Sequence, residues 1–231
     1  MTYLLSEGGK HALAERLRQH PVLGFDLDGT LVDSEGEAAD SIELALLPLG
    51  RPMTAKERDF VVGHGFGEIY AFIKAAGGLP WSLTEFEEAV YKARLALFEK
   101  NGACVLPGAR EVVRKLSSHW PVALVTGSTR PEANLMLSAL GVADCFATTL
   151  CAGEYPVGKP SPVPYLQAAE RLGVSPSHCV AIEDSTAGIS SAKSAGMHCI
   201  GVRVGNRYGQ DQSHAHHVVE TLFDVATLLL G

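Results

Sequence analysis

Hydrophobic positions change their spacing along the chain, and the changes predict two kinds of structure. Residues 22–25 form a short apolar run bounded by turn residues, which predicts a strand buried on both faces. From Ser34 to about Asn101, apolar residues recur at helical spacing and little of the sequence favours strands. Beyond Asn101, short apolar runs alternate with helical segments. This alternation predicts an α/β fold with a doubly wound parallel sheet, into which an α-helical segment is inserted.

The predicted elements fall into three segments. An N-terminal extension over residues 1–20 contains one short helix at 10–20, which Pro21 ends. The insertion over residues 34–101 contains four helices, at 35–49, 54–62, 66–76 and 84–100. The α/β segment covers residues 21–33 and 102–231, with helices at 109–118, 132–140, 164–172, 186–195 and 222–230. Its later strands are predicted at 122–126, 148–151, 179–183, 199–202 and 217–219.

Two of the inserted helices carry a sequence signal at their start. Thr54 with Glu57, and Thr84 with Glu87, have the spacing of a capping box, in which each side chain satisfies the backbone N–H of the other residue. We therefore place the starts of the second and fourth inserted helices at Thr54 and Thr84.

Composition and charge limit the partners of the chain. The 231 residues carry a formal net charge of -7, which argues against nucleic acid or an anionic membrane as the main partner. The five cysteines are scattered and lack CxxC spacing, so we expect a reduced, cytoplasmic protein without a disulfide framework or a zinc site. Apolar runs stay well below the ~18 residues of a membrane span. We expect a monomer or a weak dimer.

The most informative stretch is VLGFDLDGTLVD, residues 22–33. Asp26 and Asp28 are two residues apart where the strand ends, so their side chains point to the same side. Open α/β sheets place their sites at this carboxyl edge, and two carboxylates so close are unfavourable to bury unless they share a cation or a proton. We therefore infer a metal site. Asp-Gly is also a common turn signal; an EF-hand loop is excluded because Leu31 stands where that loop requires Gly.

Further polar groups occur where later strands end or in the loops between them. They are Thr126-Gly127-Ser128 after the second strand, Lys159 between Gly158 and Pro160, and Glu183-Asp184 after the fourth strand. Each of the first two clusters alone is common in ordinary turns and surface loops. A hydroxyl and backbone amides at a strand end can also hold phosphate oxygens. An acidic pair between a buried strand and a helix is not ordinary surface composition.

Taken in order, these stretches resemble the four motifs of haloacid dehalogenase-like (HAD) hydrolases. The matching segments are DLDGTLVDSE from Asp26, VALVTGSTR from Val122, VGKPSP from Val157 and CVAIEDSTAG from Cys179. The inserted helices resemble the α-helical cap of the branch that contains β-phosphoglucomutase and phosphoglycolate phosphatase. The resemblance covers nearly the whole chain after Pro21 and implies a HAD-like Rossmannoid core with a cap domain.

The resemblance implies a phosphatase that cleaves a small phosphorylated metabolite, such as a sugar phosphate, through an aspartyl-phosphate. Four residues receive catalytic roles: Asp26 as nucleophile, Asp28 as acid and base, Thr126 as a phosphate ligand and Lys159 as a counter-charge. Gly127 and Ser128 are implied to contact the same phosphate.

The resemblance also implies Mg²⁺ as cofactor. The ion would be held by Asp26, by Asp28 through its backbone carbonyl, and by Asp184, with Glu183 acting through water or by orienting Lys159. Mg²⁺ prefers about six oxygen ligands and keeps several waters, and the phosphate of the substrate would supply another oxygen.

Three alternatives remain open. A β-phosphoglucomutase-like phosphomutase has the same four motifs but carries a cap histidine in the neighbourhood where this chain has EAA at residues 37–39. A phosphonate hydrolase would use a cap lysine, for which Lys56, Lys74 and Lys92 are available. A non-catalytic phosphate-binding regulatory module is the alternative of a different class, and the presence of Asp28 argues against it.

Other residues have weaker assignments. In the cap, His64, Lys92 and Arg94 are candidates for substrate contacts. His214, His216 and His217 lack the helical spacing of a zinc pair, so we do not interpret them as a metal site. The third motif departs from the branch pattern at Val163, where an Asp that caps the next helix is common.

Overall fold

The polypeptide forms two units, each with its own hydrophobic core. The computed structural model describes residues 21–61, 64–102, 104–206 and 209–231, together with Leu13. One unit, which we call the core unit, comprises Met1–Asp33 and Cys104–Gly231; the other, the helical unit, comprises Ser34–Ala103. Apart from Leu13, the predicted N-terminal helix lies outside the described residues. We retain the predicted domain assignment, with residues 34–101 as a cap, as a proposal.

The core unit is built on a six-stranded sheet whose strands are all parallel. The strands are β1 (Val22–Phe25), β2 (Val122–Val125), β3 (Phe146–Leu150), β4 (Cys179–Glu183), β5 (His198–Val202) and β6 (His217–Val219). Their order is β3-β2-β1-β4-β5-β6, so the chain winds outwards in both directions from β1 and places a ligand crevice beside it. Phe25, the last residue of β1, lies opposite Leu124 of β2 and Ile182 of β4. The carboxyl ends of these three strands therefore lie side by side.

In the described residues of the helical unit, four α-helices follow the predicted ones closely. They are α1 (Ser34–Leu46), α2 (Ala55–Val61), α3 (Phe66–Ala75) and α4 (Leu83–Asn101). Their apolar faces meet in a cluster that includes Ile42, Leu46, Ile73 and Phe86. Burial of such side chains is the main stabilising term for short helices.

The start of α4 differs from the prediction. Its N-cap is Ser82, which forms a capping box with Glu85, two residues before the predicted pair of Thr84 and Glu87. Both pairs have the required spacing, so the sequence does not choose between them. The earlier start gives the helix further backbone hydrogen bonds once its nucleus has formed.

Within residues 21–33 and the described part of 104–231, five α-helices belong to the core unit. They are α5 (Ala109–Ser117), α6 (Arg130–Leu140), α7 (Val163–Arg171), α8 (Thr186–Ser194) and α9 (Leu222–Leu230). Helix α7 starts at Val163 even though no Asp caps it. Pro164 lies in its first turn, where a missing N–H has no intrahelical partner to lose, and the N–H of Val163 donates to Ser161 Oγ at 3.4 Å.

The loop after β1 is held by the segment that returns from the helical unit. The N–H of Asp33 donates to the carbonyl of Cys104 at 2.8 Å, and the N–H of Leu106 donates to that of Leu31 at 3.0 Å. Val32 and Val105 form an antiparallel bridge between the two. This pairing fixes the chain just beyond the predicted acidic motif.

In the described ranges, no helix combines the length and the apolar character that a membrane crossing requires.

Candidate active site

The predicted site residues of the core unit meet at the carboxyl ends of β1, β2 and β4. Asp26 follows β1 directly, and its N–H donates to Ile182 of β4 at 3.0 Å, so the ladder continues into the site. Thr126 follows β2, and its N–H bonds Leu150 of β3 at 3.0 Å. Asp184 follows β4. Because main-chain bonds carry these residues past the strand ends, the sheet fixes where their side chains begin.

Lys159 is bound by three acceptors. Its Nζ donates to Asp26 Oδ1 at 2.6 Å, to Glu183 Oε1 at 2.6 Å and to the carbonyl of Val125 at 2.9 Å. An ammonium group has three N–H donors, so its hydrogen-bonding capacity is filled. Burial lowers the pKa of Lys159, but the two carboxylates outweigh burial and raise that pKa above its ordinary value. Lys159 is therefore a permanent positive charge between two strand ends.

Glu183 is enclosed by the protein. It has no exposed surface, and its Oε1 accepts from the hydroxyl of Tyr165 at 2.7 Å as well as from Lys159. Ser185 Oγ donates to the other oxygen at 3.3 Å. A Cβ at residue 188 would lie 1.9 Å from Glu183 Oε2, so only Gly188 leaves room for this carboxylate.

Asp26 is buried among carboxylates, with Lys159 as the cation that it contacts. It is 5% exposed. Burial is the largest effect on the pKa of Asp26 and raises it. Lys159 lowers this pKa, but Glu183 and Asp28 raise it again, so the pKa of Asp26 is about 7. One lysine is shared between two carboxylates, and that is too little to keep the Asp26 carboxylate at its ordinary pKa.

Three carboxylates form a cluster that suits a divalent cation. Asp26, Glu183 and Asp184 each offer an oxygen, and these oxygens lie within 4.8 Å of one another. It is the one group of three potential metal-ligating side chains found in the described part of the chain. Hard oxygen donors are what Mg²⁺ prefers, and three buried carboxylates facing one ammonium need further positive charge. The residues present therefore fit the predicted cofactor.

The carboxylate of Asp184 is held against the loop after β1. Asp184 is 4% exposed, and the hydroxyl of Thr30 donates to its Oδ1 at 3.3 Å. Gly29 has a φ of +81°, and a Cβ there would lie 2.2 Å from Asp184 Oδ2. A side chain at residue 29 would be strained by its backbone and would also displace this carboxylate.

Asp28 belongs to a second group of side chains, on the β2 side. Its Oδ2 accepts from Thr126 Oγ1 at 3.0 Å and from Ser128 Oγ at 2.6 Å. The structure thus brings Asp28 together with two residues predicted to bind phosphate. Gly127 between them is exposed, and among the described residues no heavy atom beyond its own chain neighbours lies within 4 Å of the position that its Cβ would take. The α-carbon of Gly127 therefore faces open space.

Several residues that hold the site were not found from the sequence. Tyr155 donates its hydroxyl to the carbonyl of Thr126 at 2.8 Å, Tyr165 donates to Glu183, and Gln212 donates to the carbonyl of Asp184 at 2.6 Å. For the two tyrosines, the available sequence signal was their position on either side of the lysine motif. The sequence around Gln212 gives no indication of a contact with a strand end.

The candidate residues of the insertion lie in the helical unit. The ring of His64 stacks on Phe60 with centroids 3.8 Å apart. Lys92 is exposed and Arg94 is half-buried on α4. Lys74, one of the lysines considered for a Schiff base, donates to the carbonyls of Leu79 and Trp81 at 2.9 and 2.8 Å. Substrate contacts of His64, Lys92 and Arg94 stay predictions.

The histidines near the C-terminus form an aromatic contact group. His198 of β5 stacks on His216 with centroids 4.4 Å apart, and its ring also meets that of His217 at 4.9 Å. His214 contributes its carbonyl, which accepts from Lys193. Burial lowers the pKa of His217.

Known proteins resemble this chain over most of its length. A family profile described as haloacid dehalogenase-like hydrolase matches residues 21–196. A bifunctional riboflavin kinase/FMN phosphatase from Arabidopsis thaliana is 33% identical over 203 residues, covering 87% of this chain and 53% of that protein. The chain thus spans about half the length of this relative. A phosphoglycolate phosphatase from Photorhabdus laumondii is 30% identical over 197 residues, covering 81% of this chain and 82% of the relative.

The fold is also known from solved structures. A Thermotoga maritima protein assigned as a candidate β-phosphoglucomutase superposes with a TM-score of 0.75 and 27% identity, covering 91% of this chain and 98% of its own. Together with the strand order, this likeness confirms the predicted doubly wound sheet and helical insertion. The predicted enzyme class is confirmed by the family match. The chain belongs to the haloacid dehalogenase-like hydrolase family.

Proposed function

We propose that this protein is a magnesium-dependent phosphatase that hydrolyses small phosphate esters through an aspartyl-phosphate. One observation carries the proposal: Lys159 binds Asp26 and Glu183 at 2.6 Å each, within a cluster of three carboxylates that Asp184 completes. Phosphoryl transfer needs a nucleophile together with positive charge to offset the charge of the phosphoryl oxygens, and this arrangement offers both. Relatives named phosphatases support the same reaction class.

The metal would lie at the acidic cluster. Asp26 and Asp184 would hold it with their carboxylates, Asp28 with its backbone carbonyl, and Glu183 would act through water or through Lys159. When bound, Mg²⁺ would offset negative charge on the phosphoryl group. Lys159, with its raised pKa, contributes a second positive charge that does not depend on the metal.

The reaction would proceed in two steps. In the first, a carboxylate oxygen of Asp26 bonds to phosphorus while the bond from phosphorus to the ester oxygen breaks, and Asp28 gives a proton to the leaving oxygen. In the second, Asp28 takes a proton from water, whose oxygen bonds to phosphorus while the bond to Asp26 breaks. The products are the alcohol and inorganic phosphate, and Asp26 and Asp28 return to their starting states.

The residues after β2 would position the reacting groups. The hydroxyls of Thr126 and Ser128 both donate to Asp28 Oδ2, which fixes the direction of the carboxyl group that transfers protons. The space above Gly127 is where a phosphoryl oxygen would meet its backbone N–H. A hydroxyl has one proton, so in this proposal Thr126 turns from Asp28 to donate to a phosphate oxygen when the ester binds, and Ser128 keeps its hydrogen bond to Asp28.

Substrates are proposed from chemistry and from relatives. Phosphoglycolate and FMN come first, because proteins named for their hydrolysis are 30% and 33% identical to this chain. Sugar phosphates come next. His64, Lys92 and Arg94 are proposed to set the choice among them.

The test is phosphate release from a panel of these esters, with Mg²⁺ and with EDTA. We expect release that requires the metal and that Asp26→Asn removes. Asp144→Asn is the matched control, because the side chain of Asp144 is 74% exposed and lies at the surface beside Arg114 and the thiol of Cys145. Release that survives in Asp26→Asn, or that persists at full rate in EDTA, would contradict the nucleophile or the metal assignment.

A phosphomutase is the second candidate, favoured by the likeness to the Thermotoga protein. Against it, residues 37–39 carry no histidine, and Ala39 is 6% exposed in the core of the helical unit. Incubation with β-glucose 1-phosphate and a bisphosphate primer separates the two. Glucose 6-phosphate formed faster than inorganic phosphate would establish the mutase.

A further inference from the structure

A buried glutamine holds the main chain of a proposed metal ligand. Gln212 lies between β5 and β6 and is 5% exposed. Its Nε2 donates to the carbonyl of Asp184 at 2.6 Å and to the carbonyl of Val202 at 2.8 Å. Asp184 follows β4, and Val202 is the last residue of the neighbouring strand β5. The ladder between β4 and β5 ends with the pair Glu183 and Gly201. The side chain thus joins the two strands one step beyond their ladder.

The chemistry of this position requires two donors. Both partners of Nε2 are carbonyl oxygens, so an amide NH₂ satisfies them and a carboxylate of the same shape would not. The amide oxygen of Gln212, by contrast, is buried and accepts no hydrogen bond from the described residues. A buried acceptor without a donor is unfavourable. The position therefore uses the donor half of the side chain and tolerates the acceptor half.

The loop that carries Gln212 is held by other contacts. Thr186 Oγ1 donates to the carbonyl of Asp211, the residue before Gln212, at 2.9 Å. On the other side, the N–H of His216 donates to Cys199 at 2.9 Å. The backbone of the loop is therefore anchored without the side chain of Gln212.

We propose that Gln212 is a positioning residue that sets the metal affinity of the site through the main chain of Asp184. The carbonyl carbon of Asp184 is bonded to its Cα. The hydrogen bond from Gln212 to the carbonyl oxygen therefore restricts the backbone that carries the Asp184 side chain. The carboxylate then lies between Thr30 and the cluster with Asp26. This inference rests on the proposed function, because it concerns the metal ligands of that function.

The experiment measures binding of Mg²⁺, and of Mn²⁺ as a second probe, to the metal-free protein by titration calorimetry. Gln212→Met keeps the shape of the side chain and removes both donors. We expect it to weaken metal binding about tenfold, as is typical when a residue that orients a ligand is lost. Gln210→Met is the matched control, since this glutamine lies in the same loop and its Oε1 accepts from the N–H of Thr186 at 3.3 Å instead of reaching Asp184. We expect the metal affinity of Gln210→Met to stay within about twofold of wild type.

Thermal unfolding in EDTA separates positioning from stability. A purely structural Gln212 would lower the melting temperature of Gln212→Met and leave the metal affinity of the folded protein as in wild type, which would overturn the proposal. If Gln212→Met does not fold, Gln212→Asn takes its place. Its amide is one methylene shorter and cannot span both carbonyls, so weakened metal binding supports the proposal and wild-type binding overturns it.

Calorimetry also keeps this inference distinct from the proposed function. Wild-type protein that binds metal but releases no phosphate would contradict the phosphatase, and the affinity of Gln212→Met would still decide the role of Gln212. Phosphate release with equal metal affinity in wild type and Gln212→Met would contradict the inference alone. Wild-type protein that binds neither ion would contradict the inference together with the metal site.

Discussion

Two buried carboxylates, Asp26 of the core unit and Glu57 of the helical unit, behave in opposite ways. Asp26 of the core unit is 5% exposed and Glu57 of the helical unit is 2% exposed. The pKa of Asp26 is raised to about 7, whereas the pKa of Glu57 is lowered below its ordinary value. Burial raises the pKa in both cases. The difference lies in what each carboxylate receives from its neighbours.

Glu57 has a full set of donors of its own. Its Oε2 accepts from the N–H and the hydroxyl of Thr54 at 2.8 and 2.9 Å, and its Oε1 pairs with Arg51. Hydrogen bonds to the ionised form outweigh burial. Asp26 instead shares Lys159 with Glu183 and lies near a further carboxylate, Asp28.

Burial alone therefore does not mark a functional acid. A carboxylate whose acceptors are filled by the protein stabilises the fold, and one that lacks positive charge is prepared for a ligand that supplies it. Substituting the amide for the acid in each unit should therefore give opposite results.

The largest effect is expected from Asp26→Asn. The amide cannot act as nucleophile, and we expect phosphate release to fall by roughly 10⁴-fold or more. The melting temperature in EDTA should not fall, because the change removes a carboxylate that burial disfavours. Steady-state assays and thermal unfolding measure the two quantities. A variant that loses stability as Glu57→Gln does would break the comparison.

Asp28→Asn should have the next largest effect on turnover. Loss of general acid–base catalysis is worth about 10²–10⁴-fold, whereas phosphate or vanadate binding, measured by calorimetry, should stay close to wild type. A protein with no turnover to lose and unchanged ligand binding would instead support the non-catalytic module. Asp144→Asn again serves as the exposed control.

Glu57→Gln should destabilise the fold and spare the chemistry. The amide places an N–H donor against donors of Thr54 or Arg51, which we expect to lower the free energy of unfolding by about 1–3 kcal/mol. Denaturant unfolding measures this change. Glu85→Gln is the matched control, because Glu85 forms the same kind of capping box with Ser82 on an exposed surface; its effect should be smaller. Turnover of folded Glu57→Gln should remain within about twofold of wild type.

The smallest effect concerns the pH dependence of stability in EDTA. Asp26 has a folded pKa of about 7 against an ordinary value of 3.8, so its contribution to stability is full below 3.8 and is lost as the pH rises through 7. Glu57, with a lowered pKa, contributes to stability above its ordinary pKa of 4.5 and loses that contribution as the pH falls below it. We therefore expect the melting temperature of Asp26→Asn to rise relative to that of wild type between about pH 5 and 8. Each kcal/mol of difference in the free energy of unfolding corresponds to about 2–4 °C.

The Glu57 side of this comparison is tested at lower pH. The difference in melting temperature between wild type and Glu57→Gln should shrink as the pH falls from about 5 to 3. Parallel curves for Asp26→Asn and wild type would contradict the opposite signs on which the comparison depends.

The sequence reveals the strand ends but not the residues that hold them. Asp26, Thr126 and Asp184 were predicted from apolar runs that stop at a polar residue, since the period of a strand and the edge of a parallel sheet determine where such residues meet. Family motifs added Lys159, which its loop brings to two carboxylates.

Tyr165 and Gln212 could not be predicted in the same way. Tyr165 reaches Glu183 from a helix, and Gln212 reaches Asp184 from a loop 28 residues further along the chain. Their contacts depend on how distant elements pack against the sheet, and no local spacing encodes that. The start of α4 shows the same limit on a smaller scale, because Ser82 and Thr84 offer equivalent local signals.

The pairing of Asp33 with Cys104 has a consequence for the modularity of the chain. The backbone leaves the core unit and returns to it through residues joined by a hydrogen bond of 2.8 Å, next to the bridge between Val32 and Val105. In the chain of the core unit, the helical unit stands where a hairpin turn would otherwise connect Asp33 to Cys104. Because the entropy of closing a loop grows only slowly with its length, this junction accommodates a long insertion or a short one, and a few glycines should be able to replace the excursion while the strands keep their order.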